Sequence, residues 1–113
     1  ANDLCEELGE GLGVAVDAYH VWWDPNLNRE IQRAAGHILG FHVCDWLVPT
    51  TDFLLDRGMM GDGIIDLAAM NKMVTAAGYE GPIEVEIFSA ENWWKREGDD
   101  VMATIVKRFE HVV

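Results

Sequence analysis

Apolar residues change their spacing several times along the chain, and each change marks a predicted element. Residues 3–8, DLCEEL, carry apolar positions at helical intervals and are closed by Gly9, after which glycines at 9, 11 and 13 make a short flexible turn. VAVDAYH, 14–20, reads as a strand. NREIQRAAGHIL, 28–39, returns to helical spacing, with Ile31, Ala34, Ala35, Ile38 and Leu39 on one face, Asn28 as N-cap and Gly40 as the stop. FHVCDW, 41–46, is a second strand. The stretch Leu47–Gly63 holds Pro49, two threonines, DRG and GDG, and is too long for a minimal connection; in a small domain such a loop usually lies over a working site. Asp66 caps the helix LAAMNKMVTAAG, which Gly78 ends. IEVEIFS, 83–89, is a third strand with Ile83, Val85 and Ile87 on one face and Glu84 and Glu86 on the other, and a last helix runs from Asp99 or Asp100 to His111.

Helices and strands therefore alternate, which predicts an α/β fold with a parallel sheet, either open and doubly wound or part of a (β/α)8 barrel. Three strands are too few to close a barrel. The glycines of GEGLG precede their strand, so they do not form a dinucleotide-binding turn.

Length and charge narrow the picture. The 113 residues, half of them apolar, suffice for one domain, 1–113, and not for two. There is no run of eighteen apolar residues and no secretory pattern, so a cytoplasmic location without membrane association is expected. Cys5 and Cys44 lack metal-site spacing and read as ordinary thiols. The net charge of -12, from 20 acidic and 8 basic residues, repels a phosphate backbone and excludes generic nucleic-acid binding. Small polar ligands, cations or protein partners remain. The chain begins at Ala1 directly in what reads as the last turns of a helix, so it is expected to be part of a longer one.

The candidate chemistry lies at the strand ends. Asp17, His42 and Glu86 occupy three predicted strands, each near its C-terminal end, the edge at which ligands bind in parallel α/β folds. Two carboxylates and an imidazole there make a plausible divalent-cation shell; taken singly, an acid at a strand end also serves as a helix cap and a histidine in an apolar strand as a core residue. Asp45 either orients His42 or caps the following loop. Glu84 lies one pleat deeper than Glu86 and suits a supporting role; Asp56 and Asp62 suit loop ordering. Trp22, Trp23, Trp46, Trp93 and Trp94 are assigned to packing before sugar stacking.

The runs VDAYHVWWDP, HVCDW, DRGMMGDGIID and GPIEVEIFS, in that order, resemble the C-terminal part of the xylose isomerase-like TIM barrels, the sugar phosphate isomerase/epimerase group. The resemblance implies a partial (β/α)8 TIM barrel, about three βα units corresponding to the last strands. It further implies Asp17, His42 and Glu86 as metal ligands, with a further Glu on a strand before Ala1, and His20 and Arg57 against substrate oxygens. The implied reaction is metal-dependent isomerisation or epimerisation of a small sugar or polyol, by proton transfer beside a carbonyl through an enediolate, with Glu86 and His20 as catalytic residues. The implied metal is manganese, magnesium, cobalt or zinc.

Three rival readings stand beside it. An inosose dehydratase-like lyase shares the opening step. An apurinic endonuclease of the same superfamily would need one more imidazole after Asp56-Arg57, where this chain has Gly58, and a basic track that the acidic balance lacks. A non-catalytic piece would carry an open strand edge and an uncovered apolar barrel interior, and would associate as a homo-oligomer or with the missing N-terminal half of the barrel.

Overall fold

The three apolar runs pair side by side. In the computed structural model, which describes residues 1–113, β1 (Val14–Asp17), β2 (Ile38–Val43) and β3 (Ile83–Val85) form one parallel sheet in the order β1-β2-β3. The register sets Val16 opposite Phe41 and Asp17 opposite His42, and His42 in turn opposite Glu84, so Asp17, His42 and Glu84 form one row across the sheet, with Glu86 two residues past it. Connecting them are α1 (Asn2–Leu8), α2 (Ala18–Val21), α3 (Leu27–Arg33), α4 (Leu67–Ala76) and α5 (Gly98–Val112), with a 3-10 turn at Trp93–Lys95.

Side chains on a strand point alternately to its two faces. Val16, Phe41 and Val43 are buried in a core shared with Ile31 of α3, Leu67, Met70 and Val74 of α4, and Met59 and Met60 of the long loop. Along α5, Val101, Ile105 and Val112 pack against that core. α4 is held at its start by Asp66, whose Oδ1 accepts from the Ala69 N–H at 2.9 Å, and the chain leaves it through Gly78 at φ +87°. A cap of this kind contributes about 1 kcal/mol.

Several boundaries differ from the sequence expectation. The predicted helix 28–39 is the shorter α3, Leu27–Arg33, flanked by Asn26 without a side-chain cap. Gly36 at φ +80° turns the chain, so Ile38 and Leu39 begin β2 and Gly40 lies inside that strand. Ile38 and Leu39 satisfied a helical period only because two adjacent apolar residues fit either period. β1 stops at Asp17, and Ala18 to His20 coil into α2. β2 ends at Val43 and not at Trp46; β3 is regular only to Val85, although the Glu86 N–H still donates to the Val43 carbonyl at 3.0 Å.

The face of the sheet away from the helices is also not the apolar surface expected. It carries Ala15, Gly40, His42 and Glu84, with a β-bulge that leaves Leu39 unpaired between Ile38 and Gly40. Small and polar groups lose little by facing water, so the large exposed apolar side chains are elsewhere, among them Leu4 and Leu8 of α1, Leu39 at the foot of β2, and Trp23 and Phe53 at the loops. No helix is long and apolar enough to cross a membrane.

Candidate active site

The site begins with how β1 ends. Asp17 leaves the strand in extended conformation and its Oδ1 accepts from the Tyr19 N–H at 2.9 Å, which starts α2 and swings His20 to the rim. One oxygen is thus a helix cap, the role an isolated strand-end acid usually has. The other, Oδ2, faces inward, 3.5 Å from Arg57 Nη1 and 3.6 Å from His20 Nε2.

β2 and β3 bring the partners. One ligand atom each from Asp17, His42 and Glu86 lies within 4.8 Å of the others. His42 Nδ1 is 4.0 Å from Glu86 Oε1, and its Nε2 is 3.4 Å from Glu84 Oε2, so the imidazole stands between the two acids of IEVE. Glu84 is therefore placed behind the histidine and is absent from the cluster, the arrangement in which a carboxylate orients a ligating imidazole. Mixed oxygen and nitrogen donors at the ends of three neighbouring strands suit a divalent cation, and the chain's own residues fit one.

The long loop supplies the cation already present. Residues 56–58 thread between the ends of β2 and β3: Gly58 and Asp45 exchange both backbone hydrogen bonds at 2.9 Å, the Arg57 N–H donates to the Phe88 carbonyl at 2.9 Å, and Asp56 bridges to Ser89. This route buries the Arg57 side chain to 2% exposure. Its Nη1 donates to Glu86 Oε2 at 2.7 Å and its Nη2 lies 3.3 Å from His20 Nε2, while its Nε has no hydrogen-bond partner. A buried guanidinium needs compensating negative charge, and Glu86 and Asp17 provide it. His20, by contrast, has a side chain 62% exposed. All four residues singled out beside His42 thus meet at the C-terminal rim.

Asp45 does not orient His42. Its carboxylate, 1% exposed, accepts four backbone N–H groups: Trp46 and Ile65 on Oδ1, Gly61 and Gly63 on Oδ2, at 2.8–2.9 Å. Gly63 cannot be replaced, because a Cβ there would lie 2.1 Å from the Trp46 carbonyl oxygen. Asp56 accepts from the Thr51 N–H and hydroxyl at 2.7 and 2.8 Å, and Asp62 accepts from Trp93 Nε1 at 2.9 Å and from Arg108; both order the loop as expected. Trp93 is buried, Trp22 and Trp46 pack in an aromatic cluster with Tyr19, and Trp23 and Trp94 are exposed.

Two neighbours of Arg57 escaped the sequence reading. Tyr19 and Phe88 each present a ring to its guanidinium, and only their positions, two residues after Asp17 and after Glu86, signalled them. Cys44, read from the sequence as an ordinary thiol, is 1% exposed beside them: burial pushes its thiol up to about 12, from an ordinary 9.0, against the opposing pull of the Arg57 charge. Because the thiol is the form favoured in the folded state, its contribution to stability is full below about pH 9 and is lost as the pH rises towards 12. At pH 8 the native protein is expected to leave Cys44 unalkylated by iodoacetamide over a time in which the urea-unfolded chain reacts completely. Equal labelling rates, read by peptide mass, would contradict that burial.

A parallel sheet with helices on one face, a long βα loop crossing its C-terminal edge, and an acid, an imidazole and another acid meeting there define a segment of an α/β barrel. The chain belongs to the xylose isomerase-like TIM barrel family, whose model matches residues 1–105. It is 28% identical over 90 residues to the L-ribulose-5-phosphate 3-epimerase UlaE of Shigella flexneri serotype 5b, a match covering 80% of this chain and 28% of that protein. Among solved structures it is similar to protein SMc04130 of Sinorhizobium meliloti 1021, with 59% identity and a TM-score of 0.96 over 97% of this chain and 41% of that one. The IOLI protein, crystallised with a bound zinc atom, matches at 28% identity and a TM-score of 0.72 over 89% of this chain and 37% of that one. The chain spans less than half the length of each of these relatives.

Proposed function

We propose that the protein to which these residues contribute is a metal-dependent isomerase or epimerase of a small sugar or sugar phosphate. The observation that carries the reading is the meeting of Asp17, His42 and Glu86 within 4.8 Å at the C-terminal edge of a parallel sheet. It is supported by the epimerase among the relatives and by the zinc atom of the IOLI structure.

Asp17, His42 and Glu86 would hold the cation. When bound, a divalent cation supplies the charge that polarises a carbonyl and its neighbouring hydroxyl, which makes the adjoining C–H acidic. Glu86 stands at the rim, its Oε2 accepting from Arg57; one of its two oxygens would hold the cation, and the other would take or return a proton at the carbon beside the carbonyl. Removing that proton gives an enediolate, and returning it to the neighbouring carbon or to the opposite face yields the isomer or the epimer. His20, open to solvent, takes a substrate oxygen, and the buried Arg57 beside it holds Glu86 and adds positive charge to that side of the site. A second acid from another strand of a complete barrel would serve the opposite face of the substrate.

The test is exchange of solvent deuterium into the carbon beside the carbonyl, followed by NMR on the intact protein with ketoses, ketose phosphates, inososes and hydroxypyruvate. Exchange with one of these classes, abolished by a chelator and restored by manganese, is the expected result. No exchange with any of them in the metal-loaded protein would refute the reading.

A further inference from the structure

Arg57 is held by more than its ion pairs. Its guanidinium carbon sits 4.4 Å from the centroid of the Tyr19 ring and 4.7 Å from that of Phe88, so one planar cation has an aromatic ring near it from each of two elements. Tyr19 is 2% exposed in α2, and its phenol hydroxyl, like Arg57 Nε, is buried without a hydrogen-bond partner. Burial accordingly raises the Tyr19 phenol above its usual range. Phe88 belongs to the chain continuing from β3, and its own carbonyl accepts the Arg57 N–H.

We infer that Tyr19 and Phe88 are positioning residues that clamp the guanidinium plane of Arg57, an inference that rests on the function proposed above for the site. A guanidinium is attracted to ring faces and is flat, so two rings restrict its rotation as well as its place. The orientation they leave is the one that turns Nη1 to Glu86 and Asp17 and Nη2 to His20. Hydrogen bonds alone would not achieve this. Nη1 is shared between two carboxylates on different strands, at 2.7 and 3.5 Å, and a guanidinium free to tilt could improve one contact while losing the other. The clamp also ties the three elements together: Tyr19 follows Asp17 by two residues, Phe88 follows Glu86 by two, and each aromatic ring thus comes from the same strand end as an acid it helps to orient. A lysine in place of Arg57 would keep the charge and have no plane to clamp.

The unpartnered Nε–H of Arg57 is a reporter, because aromatic ring currents displace its proton resonance. In arginine-labelled intact protein that resonance is expected well away from the ordinary arginine position. Phe88→Leu and Tyr19→Leu should each return it towards the ordinary value, whereas Phe88→Tyr and Tyr19→Phe should keep it displaced. In turnover, Phe88→Leu should lower kcat/KM about tenfold with Arg57 present, and roughly twofold or less in an Arg57→Lys background. A Phe88 that merely filled space would give the same loss in both backgrounds. The inference is overturned if both leucine variants leave the Arg57 resonance unmoved, or if the loss persists undiminished with lysine. A displaced resonance in a protein that turns over no sugar would overturn the proposed reaction and leave the clamp standing.

Discussion

Glu86→Gln in the intact protein is expected to lower turnover about 10²–10⁴-fold and to weaken metal retention. The substitution keeps shape and removes charge at a residue with two tasks, holding the cation and moving the proton. It also cuts the ion pair at 2.7 Å that offsets the buried Arg57. Asp17→Asn and His42→Ala are the companion variants. Asparagine is as good a cap as aspartate, so α2 keeps its start while the Oδ2 charge facing Arg57 and His20 is lost. Metal content after dialysis, read by elemental analysis, should fall in all three. Wild-type metal content in all three would remove the assignment of the site, whatever the turnover.

Asp45→Ala is expected to cost about 2–5 kcal/mol of folding stability, because it leaves the buried Ile65 N–H and three partly buried N–H groups without their acceptor; a fully buried one costs about 1–3 kcal/mol and one that water can reach costs less. The sharper variant is Asp45→Asn. Both carboxylate oxygens accept two N–H groups each, so an amide must turn its NH2 towards either Trp46 and Ile65 or Gly61 and Gly63, donor against donor. Asparagine should therefore recover little of the loss. Since a domain's whole stability is about 5–15 kcal/mol, such a loss is a large fraction of it. Urea denaturation of the intact protein measures both variants, and an asparagine variant as stable as the wild type would show that the loop closes without Asp45. The defect should spread to the site, because Gly58 pairs with Asp45 through both backbone hydrogen bonds and Arg57 is its neighbour.

The strands and their edge were legible because their signals are local. VAVD, FHV and IEV each alternate over a few residues, and once the connections are read as helical the strands must run parallel, which sends Asp17, His42 and Glu86 to one rim. The cap at Asp66 and the turn at Gly78 are likewise visible in a window of a few residues. Residues 34–40 were misread for the same reason: in AAGHILG the two periods overlap, and pairing of Ile38 with Val14 across the sheet decides for the strand. Asp45 offered two roles of equal standing, and the choice lay with N–H groups 16 to 20 residues away.

By itself, then, the order of apolar and polar residues determined three parallel strands, the rim they share and the acid, imidazole and acid that reach it. Tertiary structure alone decided that Arg57 is buried between strand ends, that Tyr19 and Phe88 flank it, and that the sheet's open face is small and polar. The physical reason is range. Backbone periodicity is set by steric rules spanning two to four residues, whereas a buried charge is placed by carboxylates and rings from elements distant in sequence, which meet only when the chain has folded.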